Sequence, residues 1–203
     1  MANTACQKSS IAGASFSIHP MSDDFVTIIL RALEEVDTSK VWLQTDDVTT
    51  TVRGKLIHVF DVTKALFLHA AQSGKHVSFQ ATYSFGCPGD SEGDVFLVED
   101  DIPANESSIK EMEQHAAAKF SLYPLGGGNY MDIIYEQIEA MKRRVDVSPA
   151  HYSTRLTGDT HALFFGLQDV FQSTIHGGSA HTVMTVSISA NSPSHTGGQE
   201  NAR

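Results

Sequence analysis

The chain has 203 residues, 41% of them hydrophobic and 19% charged, a composition that supports an ordinary folded core. Twenty-four acidic side chains against fourteen basic ones give a formal charge of −10, which argues against a nucleic-acid backbone or an anionic membrane surface as partner. No stretch reaches the ~18 continuous apolar residues of a membrane span.

The polar stretch Met1–Ser10 lacks the basic-then-apolar order of a signal peptide, and the segment through Ala12 reads as a loose lead-in. Gly13 to His19 alternates, with Ala14, Phe16 and Ile18 on one face, which predicts a strand ended by Pro20. Ser22 or Asp23 can cap a following helix whose Phe25, Ile28, Ile29, Ala32, Leu33 and Val36 form one apolar stripe. Val41–Thr45 and Val48–Arg53 read as a hairpin turning at Asp46-Asp47. A helix over Ile57–Ala71 stops at Ser73-Gly74, and His76–Phe85 is a strand. The linker from Gly86 to Ala116 opens on turn residues and is expected to hold a short strand at Val95–Val98 and a helix capped near Asn105.

The same order then returns. Strands are predicted at Ala117–Tyr123, Val145–Val147, His151–Thr157 and His181–Ala190, with helices at Tyr130–Arg144 and Asp159–Ile175. Phe16-Ser17-Ile18-His19-Pro20 recurs as Phe120-Ser121-Leu122-Tyr123-Pro124, and Ile28-Ile29, Gly54 and His76 find partners in Ile133-Ile134, Gly158 and His181. A spacing of 104 to 105 residues held over these landmarks marks a tandem duplication. The expected fold class is α+β: two ferredoxin-like βαββαβ units, each an antiparallel sheet with helices on one face. The expected boundaries are 11–90 and 117–194 for the repeats, 91–116 for the linker and 195–203 for a disordered tail. Halves this small gain by packing on one another or on another subunit.

Two features carry chemistry. The solvent-side sheet positions are rich in hydroxyls (Ser15, Ser17, Thr51, Thr82, Ser121, Ser187), which suits either a solvated face or sheet-to-sheet packing. Thr50 falls on the opposite face, with Val48 and Val52 towards the helices, and its repeat partner Thr154 lies between Tyr152 and Leu156. A hydroxyl among apolar neighbours needs a partner, which is either nearby main chain or a ligand in a pocket between sheet and helices. No His-Glu-x-x-His, nucleophile elbow, Walker loop or dinucleotide fingerprint is present. Cys6 and Cys87 lack metal or paired spacing, and Cys87 aligns with Ser192, so free thiols in a reducing cytoplasm are expected. Gly126-Gly127-Gly128 could present N–H groups to an anion, but the aligned Ser22-Asp23-Asp24 is acidic, and a plain loop is the simpler reading. The residues describe a binding module before an enzyme, expected to need no cofactor or metal. The competing classes are a dimeric ferredoxin-like enzyme using His19 or His58 as base, and a regulatory module docking on another protein.

The chain closely resembles the YkoF family of thiamin/hydroxymethylpyrimidine-binding proteins from about Ile11 to Ser194. The resemblance rests on Phe16-Ser17, Pro20-Met21, Asp23-Asp24-Phe25, Ser39-Lys40-Val41-Trp42, Arg53-Gly54, His58-Val59-Phe60-Asp61, Leu68-His69-Ala70-Ala71, Gly86-Cys87-Pro88-Gly89-Asp90 and Ser189-Ala190-Asn191-Ser192-Pro193-Ser194. It implies a cytoplasmic homodimer with one thiamin-type site per repeat, linked to uptake or salvage of the pyrimidine half of thiamin and to a membrane transporter complex. It also implies ligand contacts at Ile18 and Thr50, and internal symmetry extends these to Leu122 and Thr154. The strand backbone beside Ser17 and Ser121 suits an aminopyrimidine edge. A thiazolium cation would lie near Asp23 or Asp24, or against Tyr83 or Tyr123.

Overall fold

The computed structural model of the chain describes residues 11–87, 98, 100–125, 130–179 and 181–195. The expected strand at Val95–Val98, the glycine loop 126–128, Cys6 and the tail beyond 195 fall wholly or mostly outside them.

The first repeat runs β1 (Ala12–Pro20), α1 (Phe25–Glu35), β2 (Trp42–Thr45), β3 (Thr50–Gly54), α2 (Leu56–Ala71) and β4 (Val77–Phe85). A short α3 (Glu106–Ile109) leads to the second repeat: β5 (His115–Leu125), α4 (Tyr130–Met141), β6 (Asp146–Ala150), β7 (Ser153–Asp159), α5 (Thr160–His176) and β8 (His181–Ala190). Each repeat is a ferredoxin-like βαββαβ unit, but the two do not form separate sheets. The strands make one eight-stranded antiparallel sheet in the order β2-β3-β1-β4-β8-β5-β7-β6, joined where β4 pairs with β8.

That junction fixes the symmetry. Ala81 faces Val186, its own repeat equivalent, while Gln80 faces Ser187 and Thr82 faces Thr185. The register is therefore that of a two-fold axis passing between Ala81 and Val186. The helices obey the same axis. Phe60 of α2 packs on Phe171 of α5 with ring centroids 6.3 Å apart, and their equivalents Phe164 and Phe67 meet at 6.0 Å. All four rings are buried with Phe79 and Tyr83 in one core that serves both repeats. Neither half encloses that core alone, which is the mutual packing expected of units this small.

Alternation explains which face is which. Ala12, Ala14 and Phe16 of β1 are buried under the helices, as are Val77, Phe79, Ala81 and Tyr83 of β4, whereas Ser15, His19, Gln80 and Thr82 are exposed on the other side. Helices pack on one face only, so the hydroxyl-bearing face lies open.

Several boundaries differ from the sequence reading. Ile11 and Ala12 belong to the core, at 8% and 1% exposure, so the lead-in ends sooner than expected. β3 begins at Thr50 because the Asp46 carboxylate takes the main-chain N–H groups of Val48 and Thr49 at 2.8 and 2.9 Å, forming a tight turn. Val48 is therefore exposed at the turn, not buried beside Val52, and Tyr152 stands fully exposed at the equivalent bend with φ 64°. The α1 helix starts after Asp24, whose main-chain N–H donates to the Ser22 hydroxyl at 3.3 Å, and leaves Phe25 half-exposed.

The segment before β5 is a strap on the first repeat. Asn105, 1% exposed, gives its main-chain N–H and its Nδ2 to Asp61 Oδ2 at 3.0 and 2.8 Å and accepts from the Asp37 N–H at 2.7 Å. Lys40 Nζ holds Asp100 Oδ1 at 2.6 Å, Lys64 Nζ holds Glu106 Oε2 at 2.6 Å, and His58 Nε2 donates to Asp100 O. Ile109 is fully buried beneath it.

Candidate ligand site

Under α1, beside β1 and β3, lies a cavity of ≈ 180 Å³. Phe16 and Ile18 of β1 wall one side, and Ile29, Ala32 and Leu33 of α1 with Leu66 and Ala70 of α2 close the apolar part. Thr45 and Thr50 supply its polar wall. These residues face each other across the β2–β3 hairpin, and their hydroxyls share a hydrogen bond of 2.9 Å. The pair satisfies one donor and leaves a second O–H and spare lone pairs for whatever enters.

A second polar feature comes from the main chain. β1 pairs with β3 only from Ala12 to Phe16, but with β4 from Ala12 to Pro20. From Ser17 onwards no strand among the described residues pairs with β1 on its β3 side, which leaves main-chain N–H and C=O groups there facing the cavity. Such an edge offers donor and acceptor in a fixed spacing, which matches the edge of a planar heterocycle. The second repeat repeats the device: β5 pairs with β7 only to Phe120, and with β8 to Leu125.

The cavity mouth carries Asp46 and Asp47. Hydrogen bonds from the Thr49 and Val48 main-chain N–H groups hold the Asp46 carboxyl below its usual range, so it stays ionised at neutral pH. Asp46 and Asp47, not Asp23 or Asp24, are the carboxylates that line this cavity. Asp24 instead faces a separate cleft on the far side of α1.

The predicted residues divide accordingly. Ile18 and Thr50 line the cavity with their side chains. Ser17 lines it too, but strand alternation turns its side chain to the open face, where its hydroxyl shares a 2.9 Å bond with His19 Nε2; its contribution to the cavity is main chain. Tyr83 is not at the cavity. It is 1% exposed, stacked on Phe60 at 4.3 Å with its hydroxyl bonded to Thr63 at 2.9 Å, and burial pushes its phenol pKa well above the usual range. The reason is register: Tyr83 lies opposite Ala14, towards the shared core, whereas the cavity opens beyond Phe16. His58, 1% exposed, sits beneath the strap and does not line the cavity either.

In the second repeat, Leu122 is buried and Thr154 half-buried on the helix side, cross-strand neighbours of the same kind as Ile18 and Thr50. Ser121 donates to Tyr152 O at 3.0 Å on the open face, and Tyr123, 47% exposed, is also on that face, opposite Leu122. Three replacements set these second-repeat positions apart from the first cavity. Pro149 faces Thr154 where Thr45 faces Thr50, Gln137 is buried where Ala32 closes the first cavity, and Ala150-His151 stand where Asp46-Asp47 do. The hydroxyl pair and both carboxylates of the first cavity thus have no counterpart at these second-repeat positions. Thr45 was legible as a hairpin partner of Thr50; Asp46 and Asp47 read only as turn residues.

Fold and cavity together define a tandem ferredoxin-like protein with a small, hydroxyl-walled pocket between sheet and helices. The model of the YKOF-related family matches residues 11–90 and 115–195, one match per repeat. Over 190 residues the chain is 43% identical to a protein of Bacillus subtilis (strain 168) named "Putative HMP/thiamine-binding protein YkoF", covering 93% of this chain and 94% of that one. The chain belongs to the YKOF-related family.

Proposed function

We propose that the protein binds the hydroxymethylpyrimidine ring of a thiamin-type ligand, one molecule per repeat, without chemical turnover. The observation that carries this reading is the half-paired end of β1 set beside the Thr45–Thr50 hydroxyl pair. A flat aminopyrimidine can present one hydrogen-bonding edge to the strand and its ring faces to Ile18 and Leu33. A volume of ≈ 180 Å³ lies below the ~300 Å³ at which pockets for larger ligands begin, and it suits a single substituted ring. The second ring of thiamin would then lie at the mouth, where Asp46 and Asp47 favour its positive charge. The name of the Bacillus relative supports the same ligand class.

The wider reading is a cytoplasmic homodimer that hands pyrimidine precursors on during uptake or salvage, in association with a membrane transporter. The open hydroxyl-rich face of the sheet is the surface through which two copies would pack. Calorimetric titration with hydroxymethylpyrimidine, thiamin and thiamin phosphate tests the ligand assignment directly. Saturable heats for thiamin with no product after prolonged incubation support it. Failure of all three to bind, or conversion of any one, overturns it.

A further inference from the structure

On the helix side, where the two repeats meet, lies a cleft of ≈ 650 Å³ that shares no lining residue with the cavity under α1. Repeat one contributes Lys64 of α2, the strap contributes Glu106, and repeat two contributes Arg143, Arg144 and Phe165. The protein as a whole is strongly acidic, yet this lining carries three permanent cations against one carboxylate. Two of the cations are held in place: Lys64 by Glu106 at 2.6 Å, and Arg144 by Asp169 at 3.0 Å while its guanidinium lies 4.3 Å from the Phe165 ring centroid. Arg143 has no carboxylate partner among the described residues. Phe165, 55% exposed, presents an aromatic face beside it.

The cleft continues inward as a recess of ≈ 40 Å³, bordered by the same Lys64 and Phe165 and reaching Asp61. Asp61 is 4% exposed; its Oδ2 takes both bonds from Asn105, and its Oδ1 has no hydrogen-bond partner among the described residues. A buried carboxyl oxygen without a donor is costly, and the recess has room for one donor group or one water.

We propose that this inter-repeat cleft is a second kind of ligand site, for a small phosphate monoester whose flat organic part carries an N–H or O–H donor. The phosphate meets Arg143, a guanidinium free to grip it through paired N–H groups. The ring lies along Phe165, and the donor at its far end enters the recess and reaches Asp61 Oδ1. Because both repeats line the cleft, occupancy ties α2 to α5.

The test uses two probes, phenyl phosphate and 4-aminophenyl phosphate, titrated into the whole protein at constant ionic strength. Both should bind with one site per chain, the amino ester more tightly. Arg143→Gln should weaken both by about tenfold, the loss of a charge-assisted contact. The exposed position of Arg143 keeps the fold intact, and the thiamin isotherm of the variant should match the wild type, which separates this site from the one proposed above. Absence of saturable binding at millimolar ester, or equal binding by Arg143→Gln, overturns the proposal. Equal affinity for the two esters also overturns it, because Asp61 is then satisfied by a retained water.

Discussion

Asn191, at the end of the last strand, donates through Nδ2 to the main-chain oxygen of Ala71, at the end of α2 in the other repeat, at 3.0 Å. A second bond from the same atom reaches Lys75 O at 3.1 Å. The repeat equivalent of Asn191 is Gly86, and both residues adopt left-handed backbone, with φ of 55° and 74°. Asparagine tolerates that conformation better than other non-glycine residues and adds the cross-repeat bonds that glycine cannot. Asn191→Ala should therefore cost about 1–3 kcal/mol, combining lost hydrogen bonds with backbone strain. Asn191→Gly should cost less, since only the bonds are lost. Urea unfolding decides the matter, and equal midpoints for the two variants would refute the strain component.

Thr50→Val removes one member of the hydroxyl pair at the first cavity. It should weaken ligand there by about two- to tenfold, the value of one buried hydrogen bond of ~0.5–1.5 kcal/mol, and leave the second class of site untouched. Thr154→Val should do the converse. Thermal melts of both variants control for folding. A uniform loss at both sites from either change would show that the cavities are not independent.

Asp46→Asn with Asp47→Asn should lower affinity for thiamin a few-fold and leave hydroxymethylpyrimidine unaffected, because only the former carries a fixed cation. The hydrogen bonds that depress the Asp46 pKa keep it charged above its usual value of 3.8, so this preference holds throughout the neutral range and fades only under strong acid. Parallel titrations of the two ligands, at low and high salt, give the answer; equal losses for both ligands would remove the charge from the explanation.

The repeat, the order of elements and the inward-facing Thr50 were all legible in the sequence, because alternation is a local pattern and the duplication states it twice; Val48, placed inward by the same alternation, is instead turned out by the Asp46 turn. The joining of the sheets was not. Ala81 and Val186 look like any inward strand residues, and only edge pairing makes them the centre of symmetry. Tyr83 misled for a related reason: alternation gives the face of a residue, not its distance along the sheet from a cavity. The place of Asp46 and Asp47 at the cavity was hidden because a turn signature explains an aspartate fully without reference to a pocket.

Acid should release the strap before it unfolds the sheet. Lys40 depresses the Asp100 carboxyl through a hydrogen bond, Lys64 does the same for Glu106, and Ser39 for Asp37. Groups with folded-state pKa values below the usual 3.8 and 4.5 contribute their stabilisation above those values and lose it as pH falls through the depressed ones. Amide exchange at Ile109 and Lys110 should therefore accelerate, relative to β4 and β8, as pH drops below about 4. Lys40→Met together with Lys64→Met should weaken strap protection already at neutral pH and flatten this pH dependence, because the groups that depress Asp100 and Glu106 are gone. Strap and sheet amides losing protection together would contradict a separable latch.

If two copies pack through the open sheet faces, charge at the centre of that face should keep them apart. Thr82→Glu combined with Ser187→Glu places like charges on exposed positions beside the symmetry axis, on the face of the sheet away from the helices. Sedimentation equilibrium should show the variant as a monomer at concentrations where the wild type is a dimer, with thiamin binding retained. A monomeric wild type would end the idea at once.

When a two-fold axis relates two separate chains, every substitution near one pocket appears in both, and neither can change without the other. Here a single polypeptide supplies both sides of the axis through Ala81 and Val186. The shared aromatic centre keeps its mirrored contacts, while Ala32 and Gln137, or Thr45 and Pro149, have been free to diverge. Covalent fusion thus lets one half of a symmetric scaffold change without the other, both inherited as one gene and made in strict equal proportion.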